Sequence, residues 1–117
     1  MSTDRELLEK AARAAGIELA PRGWVDEYGA VIGYEREGPI RWNPLTDDGD
    51  ALRLAVELGL EVDACGDDIC CRYSPHKEKM VGRREVWINV EEGGDRYAAT
   101  RRAIVRAAAA LGEQHDQ

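Results

Sequence analysis

An asparagine-proline pair at positions 43 and 44 and a glycine at position 59 bracket the stretch that most restricts what this chain can fold into. Pro44 drives Asn43 toward an extended conformation. Thr46 or Asp47 can cap a helix, because a short side-chain oxygen there accepts from the free N–H groups of the first turn. Leu52, Ala55, Val56 and Leu58 then form an apolar face, and Gly59 supplies the left-handed residue at which helices end. A helix is expected over residues 46–58. Leu60, Val62 and Ala64 alternate with Glu61, Asp63 and Cys65, so a strand begins as soon as that helix stops. The stretch couples a constrained loop, a capped helix and a strand, which points to a mixed fold.

The rest of the chain extends this pattern. Thr3 with Glu6 has capping-box spacing, and Leu7, Leu8, Ala11, Ala12 and Ala15 recur at helical intervals until Gly16, giving a helix over 3–15. From Ile17 to Asn43 the pattern is broken by Pro21, Gly23, Gly29, Gly33, Gly38 and Pro39; Ala30 to Glu35 is the best strand there, with Trp24, Tyr28 and Tyr34 as the bulky packing material, and the region reads as one short hairpin or a single strand with a long lead-in. Gly66-Asp67-Asp68 makes a turn between Leu60 and Tyr73, predicting a hairpin over 60–73. Glu85 to Val90 alternates again, with Val86, Ile88 and Val90 on one side and Trp87 on the other, so both faces of the sheet are expected to bury something. Gly93-Gly94 ends that strand and Asp95 can cap a last helix over 95–111, with Tyr97, Thr100, Ile104, Ala107, Ala108 and Leu111 on its core face. The predicted order is α-β-α-β-β-β-α. This is an α+β domain spanning residues 1–117, with a small antiparallel sheet covered by helices on both faces, α/β/α sandwich-like.

Trp42-Asn43-Pro44, the acidic turn, the Asp50-Ala51-Leu52 helix start and the Arg102-Ala103-x-x-Arg106-Ala107 pattern of the last helix carry a resemblance. Over roughly residues 40 to 112 the chain resembles the small bacteriophage proteins grouped as the phage ABA sandwich domain. That resemblance implies a viral origin and a fold, and names no reaction.

Composition bounds the function. With 44% hydrophobic and 33% charged residues in 117 positions, the chain has the balance of one globular domain. Its longest apolar run, Ala107 to Leu111, is far short of a membrane span. The start, Met1-Ser2-Thr3-Asp4-Arg5-Glu6, lacks the features of a secretory signal, so a cytoplasmic location is expected. The net charge of −7 argues against general binding to nucleic-acid backbones. Arg72 to Arg84 nevertheless holds five cations (Arg72, Lys77, Lys79, Arg83, Arg84) against one acid (Glu78), a local balance of +4 that leaves −11 for the remainder.

Several constellations invite chemistry. Asp47, Asp48 and Asp50 superficially resemble a calcium loop, but Leu58 stands where the closing Glu would be, so their expected role is to satisfy the helix N-terminus. Cys65, Cys70, Cys71 and His76 have ligand-like side chains, yet neighbouring strand residues point to opposite faces, so Cys70 and Cys71 are not expected to share a zinc ion. Without an export signal the cysteines are expected to be reduced. Gly93-Gly94-Asp95 lacks the length and the Lys of a phosphate loop. Arg96, Arg101, Arg102 and Arg106 are expected to solvate the last helix. The favoured function is a small bacteriophage accessory protein that binds a macromolecule, for instance to inhibit a host defence protein. The alternative is a domain that binds or sequesters an anionic or nucleotide-like small molecule, or an enzyme. The partner- or ligand-binding residues proposed are Arg72, His76, Lys77, Lys79, Arg83, Arg84 and Trp42; no cofactor, metal or catalytic residue is expected, and homodimerisation stays open.

Overall fold

The computed structural model describes residues 3–20, 25–75 and 82–114. Helix α1 (Asp4–Ala15) starts where Thr3 accepts from the Glu6 N–H at 3.2 Å and stops at Gly16, whose φ of 72° is the left-handed conformation glycine adopts freely. Strands β1 (Val25–Asp26), β2 (Gly29–Glu35) and β3 (Gly38–Trp42) form one antiparallel sheet in that order. Helix α2 (Asp48–Leu58) follows, capped by Asp47, which accepts from the Asp50 N–H at 2.8 Å, and ended by Gly59. Strands β4 (Glu61–Asp63), β5 (Asp68–Tyr73) and β6 (Arg84–Asn89) make a second antiparallel sheet. A single helical turn α3 (Val90–Gly93) leads into the long helix α4 (Arg96–Gln114), where Asp95 accepts from the Ala98 N–H at 2.7 Å.

Helix α4 organises the molecule. Ala99, Ala103, Val105, Ala107, Ala108 and Ala109 are buried, and their small side chains let other elements approach closely from several directions. Helix α1 packs along it near Gly112, where a Cβ atom would collide with the Lys10 carbonyl. Helix α2 lies on another side, and β5 and β6 bring Ile69, Cys71 and Ile88 against a third. The first sheet reaches the same core through α1, with Val25, Ala30 and Trp42.

The α+β class and the antiparallel pairing are as the sequence predicts, in a sandwich of helices and sheet. The strands, however, divide into two sheets. The loosely patterned region supplies three strands where a single strand or a short hairpin was expected: Gly29, at φ 112°, allows the turn into β2, and Pro39 is tolerated because β3 is an edge strand. Three further expectations are corrected. Trp87 is 54% exposed, on the face of the second sheet that also carries Glu61, Arg72 and Glu85. Tyr28 and Tyr34 are exposed too, with the Arg41 guanidinium 5.4 Å over the Tyr28 ring; Trp24 lies outside the described residues. Leu52, Val56 and Tyr97, assigned by periodicity to the core, stand in solvent.

Candidate functional site

The basic island is largely committed to intramolecular pairing where the structure describes it. Register places Arg72 between Glu61 on β4 and Glu85 on β6. Its Nη1 donates to Glu61 at 3.0 Å and its Nε to Glu85 at 3.2 Å, while Arg83 donates to the other Glu61 oxygen at 2.5 Å. Arg84 is exposed at the start of β6, and His76, Lys77 and Lys79 lie outside the described residues. Trp42 is only 6% exposed, with its accessible fringe in a hollow of about 240 Å³ beside Ile17, Arg53 and Glu57. Its ring is core material, so a partner at this point would meet little of it.

The cysteines are free and sit in settings that hold the proton on sulfur. Cys70 and Cys71 face opposite sides of β5, opposite Trp87 and Val86 respectively. Burial pushes the Cys71 thiol up to about 12. Burial and then the Glu85 carboxylate, 3.4 Å from its Sγ, raise Cys70. Cys65 is raised by its hydrogen bond to Asp63, which the same bond lowers. Nucleophilic or metal-binding sulfur is the thiolate, so these surroundings disfavour both uses. Among the described residues no group of three or more His, Cys, Asp or Glu side chains is arranged to hold a metal ion.

The acids at the start of α2 are each engaged in structure. Beside the Asp47 cap, Asp50 accepts from the Asn43 N–H at 2.9 Å and from Arg53 at 2.8 Å, tying the Pro44 loop to the helix. Asp48 accepts from Arg101 at 2.7 Å, and Arg101 also donates to the Leu45 carbonyl at 2.8 Å. Arg102 holds Asp4 through both carboxylate oxygens, at 3.0 and 3.3 Å. Arg96 donates to the Ala64 and Gly66 carbonyls at 2.7 and 2.5 Å. Three of the four arginines expected merely to solvate α4 therefore fasten it to α1, α2 and the β4–β5 turn.

Between these fastenings lies a groove of about 380 Å³ bounded by α2, β4 and α4. Its floor is made of small side chains, Ala51, Ala55, Ala64 and Thr100, with Ile104 at depth. Large apolar side chains stand in its lining: Leu52 is 64% exposed, Tyr97 is 70% exposed and Val62 is 37% exposed. Exposed apolar side chains gathered around one recess are uncommon on soluble monomers. The ionic groups of the lining are already partnered, Asp48 with Arg101 and Arg96 with backbone carbonyls. What remains on offer is apolar area and shape.

None of the groove residues was among the partner- or ligand-binding residues proposed from the sequence. The signal was present in α2 nonetheless. Ala51, Leu54, Ala55 and Leu58 fall on one helical face, and Leu52 with Val56 falls well to its side, an apolar arc too wide for one interface. Comparison with protein-family models, with curated proteins and with solved structures found no match.

Proposed function

We propose that the protein acts by binding another protein chain, and that the α2–β4–α4 groove is the surface that becomes covered. The observation that carries this reading is the gathering of Leu52, Val62 and Tyr97, each exposed, around a recess floored by small residues. Apolar area returns about 25 cal/mol for each Å² removed from water, so three such side chains left in solvent forgo several kcal/mol that a partner recovers. The fixed lining charges support a shape-driven contact over an anionic or nucleotide-like ligand. A site for such a ligand would present unspent Arg or Lys beside an aromatic, whereas Arg72 and Arg83 are engaged with Glu61 and Glu85. In keeping with the resemblance to phage sandwich proteins, the setting proposed is that of a viral accessory protein in the host cytoplasm, with a host protein as its target.

Site-specific photocrosslinking tests the surface. With p-benzoylphenylalanine in place of Tyr97, irradiation in host lysate is expected to give discrete protein adducts that the same probe in place of Trp87, on the outer sheet face, does not give. Adducts from position 87 and none from position 97 would move the site to the charged face.

A further inference from the structure

Three of the α4 arginines hold neighbouring elements and Arg106 holds none. We infer that Arg106 and Glu92, which line one recess, form a binding site for a small zwitterion carrying one carboxylate and one ammonium, as a free amino acid does. None of the residues lining this recess borders the α2–β4–α4 groove, so the inference stands apart from the reading of that surface.

The recess has a volume of about 290 Å³ and lies between the end of β6, the turn α3 and the middle of α4. Ile88, 1% exposed, and Gly93 supply its apolar part, while Glu92, Arg102 and Arg106 supply its charges. Sites for drug-sized molecules run to about 300–1,000 Å³, so this one admits a ligand at the small end of that range. Its backbone frame is fixed on both sides. Gly93 is pressed so closely on α4 that a Cβ there would stand 2.6 Å from Ala99, and the Val90 N–H donates to the Asp67 carbonyl at 2.8 Å. The short turn that carries Glu92 is therefore held at a set distance from the helix that carries Arg106.

The charges of the lining differ in how far they are compensated. Arg102 places both terminal nitrogens on Asp4, at 3.0 and 3.3 Å, and its Nε has no partner among the described residues. Arg106 stands one turn further along α4, exposed, and among the described residues neither a carboxylate nor a carbonyl is bonded to it. Two guanidinium groups at that spacing repel, and Asp4 offsets only the first. Glu92 is also exposed and without a partner among the described residues, and it makes no ion pair with Arg106 although both line the same recess. An open cation and an open carboxylate in one small cavity select a molecule with a charge of each sign. The Arg106 fork takes the carboxylate, assisted by the Arg102 Nε, and Glu92 accepts from the ammonium. Ile88 leaves an apolar floor for the carbon chain between them. A phosphate meets repulsion from Glu92, and a polyamine meets it from the two arginines.

NMR titration of the isotope-labelled full chain at neutral pH tests the inference, with two probes that differ in the distance between their charges, L-leucine and 6-aminohexanoate. At least one of them is expected to shift the Gly93 and Arg106 amide signals and the Arg102 Nε signal saturably at about 1–10 mM. Analogues lacking one charge are expected to bind at least about tenfold more weakly, since each loses a charge-assisted hydrogen bond. For leucine these are isoamylamine and 4-methylpentanoate; for 6-aminohexanoate they are pentylamine and hexanoate. Arg106→Gln and Glu92→Gln should each weaken the zwitterion by a similar factor with an unchanged circular dichroism spectrum, because both side chains are exposed. Their effects should separate by charge, Arg106→Gln sparing the amine analogue and Glu92→Gln sparing the carboxylate analogue. No saturable shift with either zwitterion overturns the inference, as do one-charge analogues that bind equally well or shifts that persist unchanged in both variants. A response to inorganic phosphate with none to the zwitterions would make the recess a plain anion site and overturn it too.

Discussion

At the scale of single residues, the chain is most sensitive where a side chain has no room or no water. Gly112 illustrates the first case. Alanine is a better helix former than glycine by about 0.5–1 kcal/mol, yet its Cβ would meet the Lys10 backbone, which cannot swing aside as a side chain end can. Gly112→Ala is therefore expected to destabilise by about 1–3 kcal/mol in urea denaturation, the opposite of the propensity expectation. Cys71 illustrates the second. Its folded-state pKa of about 12 lies above the ordinary 9.0, so the folded state favours the neutral thiol. The associated stability is complete below pH 9.0 and is lost as pH climbs toward 12, at about 1.4 kcal/mol for each pH unit in that window. Unfolding measured at several alkaline pH values should show a steeper fall for the wild type than for Cys71→Ala; parallel slopes would exclude the thiol as the cause.

At the scale of elements, local chemistry and long-range packing were legible to different degrees. The caps of α1 and α2, the glycines that end them, and the β4–β5 hairpin follow from neighbours a few residues apart, and these segments lie close to where the sequence puts them. The split into two sheets does not follow so, because nothing in Gly38–Trp42 says whether it pairs with β2 alone or continues toward β4. Nor does the fate of Leu52, Val56 and Tyr97: helical periodicity tells which residues share a face, while only the position of neighbouring elements decides whether that face is covered. The candidate site was legible only through the wide apolar arc of α2, since it is made of residues that ordinary packing would have buried. The α2 cap yields a prediction of its own. Asp47→Ala is expected to cost about 1 kcal/mol by removing the acceptor for the Asp50 N–H. Calcium should leave the melting temperature of both proteins unchanged, because Asp48 and Asp50 are already bonded to Arg101, Arg53 and the Asn43 N–H; a calcium-dependent rise that Asp48→Ala abolishes would restore the metal reading.

At the scale of the whole molecule, surface charge and surface shape are assigned to different places. The outer sheet face gathers the Glu61, Arg72, Arg83 and Glu85 pairs, and exposed pairs of this kind contribute about 0–1 kcal/mol. Arg83→Glu/Arg84→Glu should accordingly leave the Tyr97 photoadducts in place while altering salt dependence, and loss of the adducts would return the binding site to the basic island. Among the described residues no helix is long and apolar enough to cross a membrane. The central position of α4 has a further consequence, for the order in which the chain can acquire its structure. The element against which α1, α2 and the second sheet all pack follows every one of them in sequence, and the Arg102 clamp on Asp4 joins residues 98 positions apart. A chain synthesised from its N-terminus thus emits three sets of apolar faces before it emits what they close on, and such distant pairings form slowly. Until Arg96–Gln114 has left the ribosome, Leu7, Leu8, Leu54 and Ile69 have no common core to enter, and exposed apolar surface of that kind is what makes incomplete chains prone to aggregate.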